Sequence, residues 1–392
     1  MSNFKNISKF NFSSKRVLVR VDLNVPFGKH GVADTTRIKA IIPTLKEISK
    51  QGGIPIIISH FGRPKGKKNL KYSLKKLVKP LAKYLSKKVV FCKNCFGEEV
   101  KKKLKKIKSG EYLLLENLRF HKEEMNNDRK FAKKLSEFSD IFINDAFSVS
   151  HRTHASINAI TKFLPSGVGK NMENELNHLE KYLLKIKKPA IAIIGGAKIE
   201  TKINVLKKLI SKCNFLVLGG GIANTFLKAK KINIGNSLYE KNQINNAKNI
   251  INKAKKNDCE IILPIDAMVE KKNKIIDIKK IKNNEKIFDI GKATLQLITD
   301  RLDKSKTVIW SGPLGVFEKK PYDKSTNEIA KLINARGNKI ISIAGGGDTI
   351  AAIKKNKKFK NFSFLSTGGG AFLKWLENFN LPEIERLKKI NQ

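Results

Sequence analysis

The sequence predicts an α/β fold of two doubly wound parallel-sheet (Rossmann-like) domains joined by an interdomain helix and a hinge. The chain has 392 residues, which is more than a single hydrophobic core usually supports. Short apolar, β-branched runs alternate with lysine-rich amphipathic segments, a pattern typical of parallel strands joined by crossover helices. Because these runs have no polar face, helices are expected to cover both sides of each sheet.

Strand-like segments occur in both halves of the chain. In the first half they span residues 17–22, 55–59, 89–92, 112–116 and 140–144. In the second half they span residues 190–194, 215–218, 261–265, 308–310, 340–343 and 364–365. Between the halves, residues 172–187 carry leucines at helical spacing, and Pro189 then ends the helix. We therefore predict domains at residues 1–171 and 189–375, a connecting helix at 172–188, and a terminal segment at 376–392.

The composition is that of a globular protein with a large positive charge. Hydrophobic residues make up 41% of the chain, and the formal net charge is +46. Lysine is spread through nearly every segment without aromatic residues interleaved, so we interpret the charge as a composition-wide bias and expect no dedicated nucleic-acid site. With four cysteines and no apolar run long enough for a signal peptide or a membrane span, we expect a cytoplasmic monomer without membrane contact.

Arginine is rare in this lysine-rich chain. Seven of its ten arginines fall within the first 152 residues. A chain that uses lysine for most positive charges should keep arginine where a planar fork matters, as in bidentate binding of carboxylate or phosphate. Four arginines lie at or just beyond the ends of predicted strands: Arg37, Arg63, Arg119 and Arg152. They predict a site for an anionic ligand in the first domain.

The turns that follow the strands differ between the two halves. Polar and charged groups follow the strands of the first half, whereas the second half has glycine-rich turns at residues 195–198, 219–221, 311–315, 345–349 and 368–370. Ligands of open α/β sheets bind at the carboxyl ends of the strands. Because backbone N–H groups can approach phosphates where side chains are missing, the second domain is predicted to bind a nucleotide. Neither a GxxxxGK[ST] motif nor a helix-opening GxGxxG motif is present, which argues against a P-loop kinase and a dinucleotide dehydrogenase.

Eight strand-end motifs, taken in order, resemble those of the phosphoglycerate kinase family. They are RVLVRVDLNVP (16–26), SHFGRPKG (59–66), LLLENLRFH (113–121), NDAFSVSHRTHAS (144–156), GGAKIETKI (195–203), WSGPLGVFE (310–318), AGGGDT (344–349) and STGGGA (366–371). The resemblance implies an enzyme of glycolysis and gluconeogenesis. Its reaction would be reversible transfer of a phosphoryl group from 1,3-bisphosphoglycerate to Mg-ADP, giving 3-phosphoglycerate and ATP, in line and after hinge closure.

The resemblance implies that the terminal segment at residues 376–392 packs back on the first domain. It also implies site residues in each domain. For the phosphoglycerate they are Asp22, Leu23, Asn24, Arg37, His60, Phe61, Gly62, Arg63, Arg119 and Arg152. For ADP or ATP they are Lys198, Lys202, Gly219, Gly220, Gly291, Glu318, Gly346, Gly347, Asp348 and Thr349. Asp348 would hold Mg²⁺, Glu318 would meet the ribose, and Arg37 and Lys198 would stabilise the transferred group. No catalytic base is needed, because the acceptor phosphate oxygen is already ionised.

Three positions depart from the family pattern. Ser311 stands where asparagine is usual, Lys374 stands where glutamate is usual, and Lys292-Ala293 follows Gly291 where a proline is common. We expect Ser311 to alter nucleotide affinity rather than abolish activity. Lys374 is expected to oppose a helix dipole by up to about 1 kcal/mol.

Two other motifs have a simpler interpretation than a metal or redox site. His151 and His154 lack an evident third ligand, and the pair Cys92 and Cys95 lacks a second CxxC pair, so packing and hydrogen-bonding roles are expected. Two alternative functions stay open at this point. One is a nucleotide-dependent enzyme of the same architecture that acts on another acidic substrate, and the other is a basic nucleic-acid-binding protein.

Overall fold

The computed structural model describes residues 4–29, 31–270, 274–355 and 360–390 and divides the chain into two compact units. Unit 1 comprises Met1–Asn177 and Asn380–Gln392, and unit 2 comprises His178–Phe379. Each unit contains a six-stranded parallel sheet, which confirms the predicted fold class. In the described part of the chain, no helix combines the length and the apolar character that crossing a membrane would require.

The elements of unit 1 follow one another along the first half of the chain. The strands are β1 (Arg16–Arg20), β2 (Phe27–Gly28), β3 (Gly31–Val32), β4 (Ile54–Ile58), β5 (Val89–Phe91), β6 (Tyr112–Leu114), β7 (Ile141–Asn144) and β8 (Ser166–Val168). The helices are α1 (Thr36–Lys50), α2 (Val78–Leu85), α3 (Glu98–Leu104), α4 (Lys122–Met125), α5 (Arg129–Ser136) and α6 (Lys170–Leu179), the last of which crosses the boundary between the units.

The sheet of unit 1 has the order β5-β6-β4-β1-β7-β8, and all neighbouring strands are parallel. Successive side chains of the central strand face opposite sides of the sheet. Val17 and Val19 pack in the cluster that contains Leu45 of α1, whereas Leu18 packs in the cluster that contains Phe131 of α5. Helices therefore cover both faces, as the continuous apolar strands predict.

Unit 2 contains a parallel sheet like that of unit 1 and, in addition, a small antiparallel sheet. Its strands are β9 (Ala190–Ile194), β10 (Phe215–Leu218), β11 (Glu260–Ile262), β12 (Asp266–Val269), β13 (Ile275–Asp277), β14 (Ile287–Ile290), β15 (Thr307–Ser311), β16 (Ile341–Gly345) and β17 (Phe364–Ser366). Its helices are α7 (Ile203–Leu209), α8 (Gly220–Ala229), α9 (Ile244–Lys256), α10 (Lys292–Asp303), α11 (Lys324–Arg336), α12 (Gly347–Lys355) and α13 (Gly370–Asn378).

The parallel sheet of unit 2 has the order β11-β10-β9-β15-β16-β17, and a small antiparallel sheet has the order β13-β12-β14. The antiparallel sheet was not predicted. The strand predicted at residues 261–265 corresponds to β11 but extends three residues too far, because β11 ends at Ile262 and β12 begins at Asp266. Pro264 lies between them, and proline cannot donate a hydrogen bond to a strand ladder.

The segment that leads from one unit to the next is less regular than the predicted helix at residues 172–187. The α-helix α6 ends at Leu179 and continues as a π-helical turn at Glu180–Leu184. Leu176, Leu179 and Leu183 are buried, but Leu184 is 49% exposed. The spacing of apolar residues predicted the helix but could not predict its change of pitch.

The last helix, α14 (Pro382–Ile390), belongs to unit 1. Asn158 Nδ2 donates to Glu383 Oε1 at 2.7 Å, and Arg386 Nε donates to Thr161 Oγ1 at 2.7 Å. These polar contacts, together with buried Ile384, attach the end of the chain to the segment that precedes β8.

Candidate functional site

The residues predicted to bind phosphoglycerate lie in loops at one edge of the unit 1 sheet. Asp22, Leu23 and Asn24 follow β1, and His60 to Arg63 follow β4. Arg119 lies in the 3-10 turn after β6, and Arg152 lies beyond β7. Because β6, β4, β1 and β7 are consecutive neighbours in a parallel sheet, their carboxyl ends bring these loops together.

The loop after β4 is held by side chains of the neighbouring loops. The Asn117 amide accepts from Phe61 N at 3.1 Å and donates to Phe61 O at 2.7 Å. Gly62 N donates to Asn24 Oδ1 at 3.0 Å, and Arg119 Nη1 donates to Gly62 O at 2.8 Å. The φ angle of Gly62 is +61°, a conformation that favours glycine. The backbone of this loop is therefore fixed before any ligand binds.

Arg37 lies in the first turn of α1 and reaches the loop after β1. Its Nη1 donates to Asn24 O at 2.7 Å and lies 3.2 Å from Asp22 Oδ2. Ser148 Oγ donates to the same carboxylate. Leu23 is fully buried, so it contributes packing rather than a polar group. The guanidinium of Arg37 is thus oriented by one carbonyl and one carboxylate, with 30% of its side chain exposed.

The cationic side chains of this edge, Arg20, Arg37, Arg63, Arg119 and Arg152, form with His60 what we call the basic cluster. Burial, together with the charges of Arg152 and Arg20, lowers the pKa of Arg119 to about 10. Burial and then the charge of Arg63 lower the pKa of Arg152. Positive groups that depress one another's pKa values in this way are stabilised when an anion binds among them. Arg63 is exposed and Arg152 is half-buried, so the cluster remains open to solvent.

Arg20 is the member of the cluster that the sequence did not predict as a site residue. It ends the apolar strand β1 and is fully buried, and its Nε donates to Ser156 Oγ at 3.0 Å. Ser156 in turn donates to the buried carboxylate of Glu124 through its N–H and its hydroxyl. A charged side chain that ends a fully buried strand requires partners, and this was the available sequence signal.

The other histidines and the CxxC cysteines make local contacts. His151 Nε2 accepts from Arg152 Nε at 3.1 Å, and burial lowers the pKa of His154 to about 3. Cys92 and Cys95 are buried and free, and burial raises the pKa of both thiols. Within the described ranges, no group of three or more His, Cys, Asp or Glu side chains could hold a metal ion.

A cavity of about 360 Å³ lies at the corresponding edge of the unit 2 sheet. Five adjacent strands, β11, β10, β9, β15 and β16, each contribute the turn that follows them to its lining. The sheet reverses its strand order between β9 and β15, which is the position where open α/β sheets bind ligands. Of the predicted nucleotide residues, Gly220, Glu318 and Asp348 line this cavity.

Glycine is required in these turns because their backbones touch one another. A Cβ atom at Gly195 would overlap the carbonyl oxygen of Pro313. Gly220 has φ = +62°, and a Cβ there would lie 2.8 Å from Gly196 O. Gly220 also begins α8, and Gly347 begins α12, so two helix N-termini lie at this edge. At the start of α8, the Gly220 N–H donates to Leu314 O at 2.9 Å and the Ile222 N–H donates to Gly196 O at 3.2 Å.

The two predicted lysines have different surroundings. Lys202 Nζ donates to Gly195 O at 2.6 Å and to Ser311 O at 3.1 Å. Burial lowers the pKa of Lys202 to about 8, and the nearby charge of Asp348 partly offsets this effect. Lys198 lies on the turn after β9 with an exposed side chain. The ammonium group of Lys202 is therefore held by two backbone carbonyls, whereas the side chain of Lys198 extends into solvent.

The remaining predicted residues occupy the flanking turns. Gly219 precedes α8, and Gly346 and Gly347 follow β16. Thr349 is buried, and its Oγ1 accepts from Gly312 N at 2.6 Å. Gly291 is not among the residues that line the cavity. It caps α10 and donates its N–H to Asp266 O at 3.0 Å.

Several lining residues were missed by the sequence analysis. They are mainly apolar and include Leu238, Pro264, Ile287, Phe288 and Val316, together with Asn224 of α8. These residues come from separate loops and carry no phosphate-binding signature. Only the folded chain brings them to one wall.

The structure explains how two of the departures from the family pattern are accommodated. Lys292 is the first residue of α10, a position where proline is favoured because the N–H has no partner within the helix. The next two N–H groups, of Ala293 and Thr294, donate to the Asp266 carboxylate. Lys374 lies in the second turn of α13 and pairs with Glu377. The dipole effect expected of Lys374 is therefore weakened, since it fades beyond the first turn.

Known proteins resemble this chain over nearly its whole length. The family model described as phosphoglycerate kinase matches residues 7–378. The phosphoglycerate kinase of Brucella suis biovar 1 is 43% identical over 394 residues, covering 98% of this chain and 100% of the relative. That of Xanthobacter autotrophicus is 41% identical over 397 residues, covering 99% of this chain and 100% of the relative.

Solved structures give the same result. The phosphoglycerate kinase of Coxiella burnetii has a TM-score of 0.86 and 34% identity, covering 99% of this chain and 100% of that one. The enzyme of Pyrococcus horikoshii has a TM-score of 0.86 and 30% identity, covering 98% of each chain. The chain therefore belongs to the phosphoglycerate kinase family.

Proposed function

We propose that this protein catalyses reversible phosphoryl transfer from 1,3-bisphosphoglycerate to ADP, giving 3-phosphoglycerate and ATP. The observation that carries the proposal is the division of chemistry between the two sheet edges. A basic cluster with its loops already fixed lies in unit 1, and a glycine-walled cavity lies in unit 2. Membership of the phosphoglycerate kinase family supports the same reaction.

The basic cluster supplies what a phosphorylated carboxylic acid requires. Exposed Arg63 and half-buried Arg152 offer forks that match phosphate or carboxylate oxygens. Arg119 is positioned by Gly62 O, and Arg37 is positioned by Asn24 O and Asp22. A bound anion relieves the repulsion among these cations, so affinity arises from charge that the fold has already concentrated.

The cavity of unit 2 suits a nucleoside diphosphate. Leu238, Phe288 and Val316 provide an apolar wall for a base, and the exposed carboxylate of Glu318 can accept hydrogen bonds from ribose hydroxyls. The positive dipole ends at the starts of α8 and α12 are suited to phosphate oxygens. We assign Lys202 to the nucleotide phosphates because its Nζ lies between the turns after β9 and β15.

Magnesium is the metal that the family implies, and the residues present fit it. Mg²⁺ is usually held by one or two carboxylates together with substrate phosphates rather than by a protein cage. The exposed carboxylate of Asp348 lines the cavity and can serve as that ligand. When bound, Mg²⁺ would neutralise charge on the nucleotide phosphates and orient them.

Transfer itself then depends on alignment and charge. The attacking phosphate oxygen of ADP is ionised, so the protein has no proton to remove. Arg37 from unit 1 and Lys198 from unit 2 are proposed to stabilise the transferred group as its charge redistributes. Since these residues belong to different units, we propose that the units close around both substrates and exclude water that would hydrolyse the acyl phosphate.

The test is the rate of ADP formation from 3-phosphoglycerate and Mg-ATP. We expect turnover that requires both substrates, and a purified protein that binds Mg-ATP but produces no ADP with 3-phosphoglycerate would favour another acidic substrate. Duplex DNA should bind only weakly at physiological salt, and sub-micromolar binding would favour the nucleic-acid alternative. A monomeric state and a cytoplasmic location remain predictions.

Closure has its own test in small-angle scattering. We expect the radius of gyration to fall more with both substrates than with either alone, because only the ternary complex bridges the two half-sites. An unchanged radius in the presence of both would contradict closure but would leave the assigned reaction intact.

A further inference from the structure

The buried guanidinium of Arg20 contacts the ring of His60. Arg20 is fully buried at the end of β1, and its Nη2 lies 3.1 Å from His60 Nδ1. His60 is itself 4% exposed and begins the loop that carries the predicted phosphoglycerate residues. The pair therefore connects the sheet to the substrate loop.

The chemistry of this contact fixes where the histidine carries its proton. A guanidinium has five N–H donors and no acceptor, and it stays protonated in proteins. The His60 Nδ1 atom must then accept the hydrogen bond, so it cannot carry a hydrogen. A neutral imidazole with a free Nδ1 carries its proton on Nε2. Rotating the ring by 180° would place a C–H group against the guanidinium and would lose the bond.

The guanidinium is prevented from turning away by its other contacts. Its Nε donates to Ser156 Oγ at 3.0 Å, and its Nη1 donates to Val21 O at 2.5 Å. Ser156 is in turn fixed by Glu124, whose carboxylate accepts from the serine hydroxyl at 2.7 Å and from its N–H at 2.9 Å. Glu124 is fully buried, so the chain Glu124–Ser156–Arg20–His60 is anchored in the core.

We propose that Arg20 is a positioning residue that holds His60 as the neutral Nε2–H tautomer and so makes it a fixed hydrogen-bond donor to the anion bound in the basic cluster. The identity of that anion as a phosphoglycerate rests on the proposed function. The tautomer itself does not, because it follows from contacts within the protein.

Burial and the surrounding positive charges also favour the neutral form of the His60 ring. Burial holds the pKa of His60 well below its usual range, and the charges of Arg20, Arg119, Arg152 and Arg37 lower it further, in that order. The other titratable groups of this edge are Glu124, Asp22 and the two neighbouring histidines, His151 and His154. The ring therefore stays neutral through the pH range in which an ordinary histidine titrates, and its donor remains present throughout.

The direct test is long-range ¹H–¹⁵N NMR of the full-length wild-type protein with ¹⁵N-labelled histidine. The His60 signals are assigned by their loss in His60→Gln. We expect the pattern of an Nε2–H tautomer that does not change between about pH 8 and pH 5, where free histidine titrates. An Nδ1–H pattern, or a titration near the ordinary pKa, would overturn the proposal without reference to activity.

Two variants then test the role of Arg20. In Arg20→Lys and in Arg20→Met we expect His60 to titrate, or to show a mixture of tautomers, while the ring signals of His178 in unit 2 stay unchanged. Arg16→Lys, an exposed position on the same strand, is the matched control and should behave as wild type. A His60 spectrum unaltered in a folded Arg20→Met protein, which has no hydrogen-bond donor in this side chain, would show that other groups set the tautomer.

The functional readout is the KM of each Arg20 variant for 3-phosphoglycerate, measured at several pH values. Each value is divided by the KM of the wild type at the same pH. This ratio cancels the titration of the substrate phosphate. We expect it to fall as pH falls through the pKa of the released His60 ring, because the charged ring then attracts the anion. A ratio independent of pH would assign Arg20 a purely structural role. Absence of activity in the wild type would instead count against the proposed function and leave the NMR result standing.

Discussion

We propose that the two sheet edges bind anions by different physical means. The basic cluster of unit 1 relies on side chains, such as Arg119, whose partners fix their direction. The cavity wall of unit 2 relies on helix N-termini and on glycines that let neighbouring backbones pack closely, as Gly195 and Gly220 do against neighbouring carbonyls. Function at the edge of unit 1 should therefore be sensitive to replacing one cationic side chain by another. Function at the edge of unit 2 should be sensitive to adding side-chain volume at a glycine.

The largest expected effect tests the first half of this comparison. Arg37→Lys keeps the positive charge but loses the fork that contacts Asn24 O and Asp22. We expect turnover to fall by ~10²-fold or more, equivalent to about 3 kcal/mol, with much smaller changes in KM. Arg301→Lys, which removes a bidentate contact to Glu260 in unit 2, is the control and should leave turnover unchanged. Near-normal turnover of Arg37→Lys would mean that charge alone suffices at this position.

The second half is tested by adding one methyl group to the glycine wall. Gly195→Ala would place Cβ against Pro313 O, so we expect a loss of about 1–3 kcal/mol in the free energy of unfolding and weaker ADP binding. Gly28→Ala in unit 1 is the control, because a Cβ there meets only Ala33 Cβ at 3.7 Å, an ordinary contact. Thermal melts and ADP titrations would check both, and equal effects would contradict a wall that is sensitive to volume.

Variants of the two lysines of unit 2 test whether the buried cation Lys202 contributes to ADP binding in addition to the glycines. Lys198→Ala should lower turnover most, whereas Lys202→Ala should also weaken ADP binding. If Lys198→Ala changed affinity alone, the assigned roles would be reversed.

Lys202 also predicts a pH dependence. Its pKa is lowered to about 8 from the ordinary value of 10.5, so the free protein loses this charge as pH rises through about 8. ADP affinity should therefore decline above that pH in wild type and not in Lys202→Arg. Between these two pKa values the unfolded chain binds the extra proton, so this group makes the free energy of unfolding rise with pH. Calorimetric ADP titration across this range measures the effect, and identical profiles for wild type and Lys202→Arg would contradict it.

The smallest expected effect concerns Lys292. Proline at the first position of α10 would lose no hydrogen bond within the helix, and Gly291 before it is already extended at φ −89° and ψ −177°. We expect Lys292→Pro to raise the free energy of unfolding by about 0.4–1 kcal/mol. Lys292→Ala separates removal of the charge from the effect of the ring, and chemical denaturation measures both. A destabilised proline variant would show that the Lys292 N–H has a partner.

The fold was largely predictable because buried parallel strands appear in the sequence as short, continuous apolar runs. The strands β9 and β10 coincide with their predictions, and the other predicted strands differ by no more than three residues at either end, whereas β2, β3 and β8 were not predicted. The antiparallel sheet was missed because its strands are short and partly charged, as in β13. The π-helical turn was missed because apolar spacing does not distinguish one helical pitch from another.

The site was only partly predictable, for a related reason. Strand-end motifs indicated which loops could meet, but they did not indicate which buried side chains support the residues of those loops. Arg20 supports His60 from within a strand, and Glu124 supports Arg20 from a short helix more than a hundred residues later. The apolar wall formed by Leu238 and Phe288 likewise joins distant loops. Such contacts arise from packing and have no local sequence signature.

The most direct test of the two-edge account is amide NMR of the full chain titrated with each ligand separately. 3-Phosphoglycerate should shift the Gly62 amide first, together with its neighbours in the basic cluster, and leave Gly220 and Gly347 unchanged. Mg-ADP should do the reverse. If 3-phosphoglycerate shifted the glycine turns of unit 2 at lower concentration than it shifted Gly62, the assignment of one ligand to each edge would be contradicted.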